Sequence, residues 1–66
     1  MDKRKEANRR VKESITTTLL HLLNQKSISE ISISEIISKA GVARASFYRN
    51  YSSKENVITT LIADIL

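Results

Sequence analysis

The sequence predicts a small all-α fold: a three-helix domain with a helix-turn-helix, plus the start of a fourth helix. Three observations carry this expectation. The 66 residues contain no proline and one glycine, so little interrupts helix formation. Apolar residues recur at spacings of three and four, which line one face of a helix and fit no strand register. Ser32 and Ser52 stand three residues ahead of Glu35 and Glu55, the spacing at which a helix start satisfies its own free amides.

Size and composition exclude several classes. A chain this short buries only about 60% of its unfolded surface, so it has one thin core and no room for an ordinary catalytic cleft. No nucleophile, base and oxyanion donors converge in it, and it is not expected to be an enzyme. Without cysteine there is no disulfide framework and no cysteine-based zinc site, and His21 cannot hold a metal alone. No cofactor is expected. There is no apolar run long enough to span a membrane, and the basic N-terminus lacks the apolar segment of a secretory signal. A cytoplasmic location is the expectation.

The first helix shows its buried stripe in Val11, Ile15, Leu19, Leu22 and Leu23, with Leu20 off the stripe and His21 on the surface. It should end near Lys26–Ser27, where Lys26 suits the negative end of the helix dipole. Residues 27–31 alternate polar and apolar but have no partner strand; they read as a linker whose Ile28 and Ile31 plug the core. Ser32 and Glu35 form a capping-box spacing at the start of the second helix, which buries Ile33, Ile36, Ile37 and Ala40. Gly41 stops it, since glycine takes a left-handed conformation without steric cost. Val42 anchors the turn.

A third helix covers roughly Ala43 to Asn50. Phe47 and Tyr51 face inward, Ala45 and Arg49 point nearly opposite, and Ser46 and Tyr48 flank them. Ser52 or Ser53 caps the fourth helix, with Ser52 and Glu55 repeating the box spacing. Its Val57, Ile58, Leu61, Ile62, Ile65 and Leu66 spread over about half the circumference, more than one small partner covers. The helix reaches the chain end with no Gly, Asn or basic cap. The expectation is the front of a longer protein whose remainder covers that surface.

The charge favours an acidic partner. The net charge is +4, and Lys3, Arg4, Lys5, Arg9, Arg10 and Lys12 crowd the first twelve residues against Asp2 and Glu6. Such a run is either a solvated helix end or an arm that contacts phosphate. Two helices around a glycine turn at about residues 32–51, the second with a basic outer face, form the helix-turn-helix pattern. In that motif the second helix lies in the major groove, so its outer residues must be short or polar. Ala45 and Ser46 meet the requirement and Arg49 adds a long donor. Tyr48 is placed to offer its hydroxyl to a phosphate or simply to lie half-buried. Lys54 sits at a helix N-terminus that already attracts anions.

At these residues a resemblance becomes specific. Ser32, Ile36, Ala40-Gly41-Val42, Phe47-Tyr48, Tyr51 and Lys54-Glu55 resemble the signature of the tetracycline-repressor (TetR) family of bacterial regulators. The likeness extends weakly through the first helix. It implies that Ser32, Ser46, Tyr48 and Lys54 stand at phosphate-contacting positions. It implies that Arg44, Ala45 and Arg49 stand at positions that choose the operator, although Arg44 lies on the helix flank, where a plain surface role is equally open. Asn50, Arg9 and Arg10 complete the expected phosphate contacts. Three departures are Ser27 at a frequent glycine, Ile37 at a usual alanine and Ala45 at a common glycine. The family further implies a repressor that binds a palindromic double-stranded operator as a homodimer, with dimerisation and any small-molecule inducer belonging to a C-terminal domain outside these residues. The chain alone should be monomeric. A small helical protein-interaction module using the apolar fourth helix is the competing reading.

Overall fold

The computed structural model describes residues 3–66, and the described residues form four α-helices and one short 3₁₀ turn. Helix α1 spans Lys3–Leu23, α2 Ile33–Ala40, α3 Arg44–Asn50 and α4 Lys54–Ile65. At about 1.5 Å per residue, the 21 residues of α1 make a rod of roughly 30 Å, and α2, α3 and α4 all pack against it. The core is Ile15, Leu19 and Leu22 from α1, Ile31, Ile36 from α2, Phe47, Tyr51, and Val57 from α4, all nearly sealed from solvent. Val11, Leu23, Ile28, Ile33, Ile37, Val42 and Ile58 pack around its edge. The all-α class read from the spacing is what forms.

Helix α1 stops at Leu23, a few residues before the Lys26–Ser27 boundary expected from the sequence. The amides of Gln25 and Lys26 both bond the Leu22 carbonyl, a tightening turn that closes the helix without a glycine. The 27–31 linker holds a turn of 3₁₀ helix at Ile28–Glu30. Glu30 accepts from both the amide and the hydroxyl of Ser27, at 3.1 and 2.8 Å, and these bonds hold its carboxyl below the ordinary carboxylate range. Ile31 is buried as expected, and Ile28 packs at the edge.

Two capping expectations are corrected. Ser32 does cap α2, accepting from the Glu35 amide at 3.0 Å, but the Glu35 carboxylate does not return to it. It turns to Lys26 instead, 2.6 Å away, because the end of α1 brings a half-buried cation within reach. Helix α4 is capped by Ser53, whose hydroxyl accepts from the Asn56 amide, while the Asn56 side-chain oxygen accepts from the Ser52 amide. The start of α4 is therefore closed by Ser53 and Asn56, with Ser52 supplying the second amide, and not by a box of Ser52 and Glu55.

Gly41 takes φ 70°, and its amide and that of Val42 both bond the Ile37 carbonyl, closing α2. Only two residues, Val42 and the α3 cap Ala43, separate this turn from α3. The junction fixes α3 across α2. Among the described residues, no helix is long and apolar enough to cross a membrane.

Candidate nucleic-acid interface

Helix α3 presents one face to the core and the opposite face to solvent. Phe47 is fully buried, and Ala45 and Arg49 lie about 160° from it on either side at 3.6 residues per turn. Both are exposed. The Arg49 side chain makes no hydrogen bond or ion pair with any described residue, so its guanidinium faces solvent on the same side of α3 as Ala45. Tyr48 is 50% exposed, and its ring meets Phe47 edge-on with centroids 5.4 Å apart. The core thus fixes the ring while leaving the hydroxyl at the surface.

Two open grooves flank α3. The first runs between the N-terminal ends of α2 and α4 and is lined by Ser32, Ser34, Arg44, Ser53 and Lys54, with the carboxylate of Glu55 at its edge. Both helix ends direct free amides and positive dipole ends toward it. The hydroxyl of Ser32 accepts one backbone bond and keeps its own proton to donate outward. The Lys54 ammonium is partly committed, for it donates to the Ile31 carbonyl at 2.6 Å. That bond ties the start of α4 to the linker, and two of the three lysine protons remain. Arg44 stands on the α2 side of α3, and its Nη2 donates to Ser34 Oγ.

The second groove lies between the N-terminal half of α1 and α3. Arg4, Lys5, Asn8, Val11, Ser46 and Arg49 line it. Asn8 meets α3 directly: the Asn50 side-chain nitrogen donates to Asn8 Oδ1 at 3.0 Å and to the Ser46 carbonyl at 2.9 Å. Both Asn50 amide protons are therefore used inside the chain. A phosphate-donor role of the kind expected for Asn50 requires one of these bonds to break; its evident work is to strut α3 against α1.

Arg9 and Arg10, expected as phosphate donors, do not line this groove. Arg9 lies about 160° around α1 from Val11, and Arg10 about 100°. Arg10 also faces Glu6 at 3.6 Å. Arg4 and Lys5 are the N-terminal cations that share the groove with Arg49. The signal was present, since Arg4 and Asn8 continue the α1 stripe of Val11 and Ile15 backward by four and three residues. Ser34 was also missed, and its place within one turn of the Ser32 cap is the clue.

Among the described residues there is no cluster of side chains able to hold a metal ion. A solvent-facing helix with one free arginine, braced by a glycine-turn helix and flanked by two cationic grooves, defines the helix-turn-helix class. The comparisons with known proteins narrow it. Residues 15–61 match the family described as bacterial regulatory proteins, tetR family, and the chain belongs to that family. It is similar to YvdT of Bacillus subtilis (strain 168), described as an uncharacterized HTH-type transcriptional regulator, with 33% identity over 54 residues. That match covers 82% of this chain and 28% of YvdT. YxbF of the same organism, described in the same words, is 35% identical over 65 residues, covering 92% of this chain and 17% of YxbF. The HTH-type transcriptional regulator EthR of Mycolicibacterium smegmatis is 36% identical over 53 residues, covering 80% of this chain and 24% of EthR. The matches thus span between 17% and 28% of these relatives' length. No solved structure matches significantly.

Proposed function

We propose that this chain is the DNA-binding head of a transcriptional regulator, acting as a repressor, with α3 laid in the major groove of a palindromic operator. The observation that carries this is the outer face of α3. Ala45 and the unpartnered Arg49 stand outermost, with nothing bulky to hold the helix off the base edges. Arg49 is read as the guanine-contacting donor, Ala45 as a methyl for thymine, and Arg44 as a second base contact from the first residue of α3. Ser32, Ser46, Tyr48 and Lys54 are read as phosphate contacts on the two flanks, joined by Arg4 and Lys5. Arg9 and Arg10 add long-range attraction rather than groove contacts. The full-length regulator is proposed to dimerise and to sense any inducer through residues beyond these.

The test is a titration of duplex DNA at several salt concentrations. Each neutralised phosphate adds about −0.9 to the slope of log affinity against log salt. Arg49→Ala should weaken preference at one base pair by roughly 1–3 kcal/mol and leave other positions alone. Tyr48→Phe should lower affinity for every sequence alike, because only the hydroxyl is lost. A chain that fails to bind DNA at low salt would sink the reading and return the apolar end of α4, with Ile65 76% exposed, as the site of a protein partner.

A further inference from the structure

Ser34 and Arg44 are ten residues apart and on different helices, yet the guanidinium Nη2 donates to the serine hydroxyl at 2.5 Å. Both residues are exposed, so the bond does not exist to satisfy a buried group. Ser34 lies in the first turn of α2, two residues after the Ser32 cap that fixes the helix start. Its hydroxyl is therefore held on rigid backbone. Arg44 is the first residue of α3, and an unrestrained arginine there would sample many rotamers.

We infer that Ser34 is a positioning residue that fixes the Arg44 guanidinium for reading one base pair. The inference rests on the reading of α3 as the helix that enters the major groove. A guanidinium has five N–H donors in a planar fork, and one bond to serine leaves an edge able to meet O6 and N7 of guanine together. Holding the fork in advance removes ordering that binding would otherwise require, and the benefit goes to the base that matches the fixed orientation. A hydroxyl suits this task, since it orients the cation without neutralising it as a carboxylate would.

The experiment is enrichment from a random duplex pool by the chain itself, followed by competition between single base-pair variants of the enriched sequence. The proteins are the wild type, Ser34→Ala, Ser34→Thr, Arg44→Ala and the Ser34→Ala, Arg44→Ala double variant. Arg44→Ala should reduce preference at one base pair by about 5- to 150-fold. Ser34→Ala should reduce preference at that same pair by about three- to tenfold, with an unchanged melting curve, since alanine favours an exposed helix position. Ser34→Thr keeps the hydroxyl and should restore preference. In the Arg44→Ala background, Ser34→Ala should change nothing further. Uniform weakening across all sequences, a shift at a different base pair, or unchanged preference in Ser34→Ala would each overturn the inference. Failure of the wild type to enrich any sequence while still binding duplex DNA would remove base reading by Arg44, and with it the inference. Failure to bind DNA at all would remove the functional reading itself.

Discussion

Tyr51 carries a hydroxyl into a core that is otherwise hydrocarbon, and that gives the fold an alkaline weakness. The residue is 3% exposed and its ring lies 5.8 Å from that of Phe47. Burial, followed by the nearby carboxylate of Asp64, raises its pKa above the ordinary value of 10.0. The folded state therefore holds the proton more tightly than the unfolded chain does. The sign follows from linkage: the stability from this group is fully present below the unfolded pKa and is lost as pH rises through the folded one. Tyr51→Phe keeps the ring and removes the titration. Urea midpoints of the two proteins should run parallel up to about pH 9 and separate above pH 10, with the variant the more stable. Parallel curves to pH 12 would show that the hydroxyl titrates freely. At this scale the sequence was informative where a residue has one physical option, as with Phe47 and Ile36 inside or Arg49 outside. It was poor where a side chain has two partners. Glu35 chose Lys26 over the Ser32 amide, and Asn50 spends its protons on Asn8 and Ser46; both choices depend on an element distant in sequence.

The elements are short, and their junctions decide whether α3 stands at a fixed angle. The turn after α2 depends on Gly41 at φ 70°. A Cβ added there would meet nothing within 4 Å, so a substitution costs backbone strain alone. Gly41→Ala should lose about 1–2 kcal/mol by chemical denaturation, and Gly41→Asn distinctly less, since asparagine tolerates the left-handed region. A neutral Gly41→Ala would mean that the turn finds another conformation. Helix α1 poses a different problem, because its first turns project past the sealed core. There the Asn8–Asn50 bond ties it to α3. Asn8→Ala should lower amide exchange protection in residues 4–12 while Ile15 to Leu22 stay protected, since opening of an end costs less than opening of the core. Equal protection in both proteins would show that helix propensity alone holds those turns. The register of the helices and the end of α2 could be read from apolar spacing and the single glycine, whereas α1 closes early on the Leu22 carbonyl with no residue type to mark it. The backward continuation of the α1 stripe into Arg4 and Asn8 is polar, and a search for hydrophobic periodicity does not see it.

For the whole molecule the question is how a domain of 37 × 29 × 18 Å would achieve tight binding of the operator proposed for it. A helix of seven residues touches few base pairs, and helix-turn-helix proteins gain affinity from two half-sites about 34 Å apart, one turn of duplex. Two copies of this domain, placed side by side along the duplex, fit that spacing. What the described residues lack is a surface to hold them there. Its exposed large apolar residues near the chain end are Ile62, Ile65 and Leu66, at 50%, 76% and 98% exposure. Three side chains at a helix tip fall well short of the roughly 1,200 Å² that a stable interface buries. The 66-residue chain should therefore sediment as a monomer in dilute solution and bind DNA weakly, with strong salt dependence. Joining two copies through a dimerising coiled coil converts the second half-site contact into an intramolecular event. With a linker that matches the span, affinity for a palindrome should rise by about 10²- to 10⁴-fold, while affinity for a single half-site should barely change. Analytical ultracentrifugation of the chain and parallel titrations of palindrome and half-site check this. A stable dimer of the unlinked chain would place a sufficient interface on α4, and no gain on linking would mean that two copies of α3 cannot reach successive major grooves together.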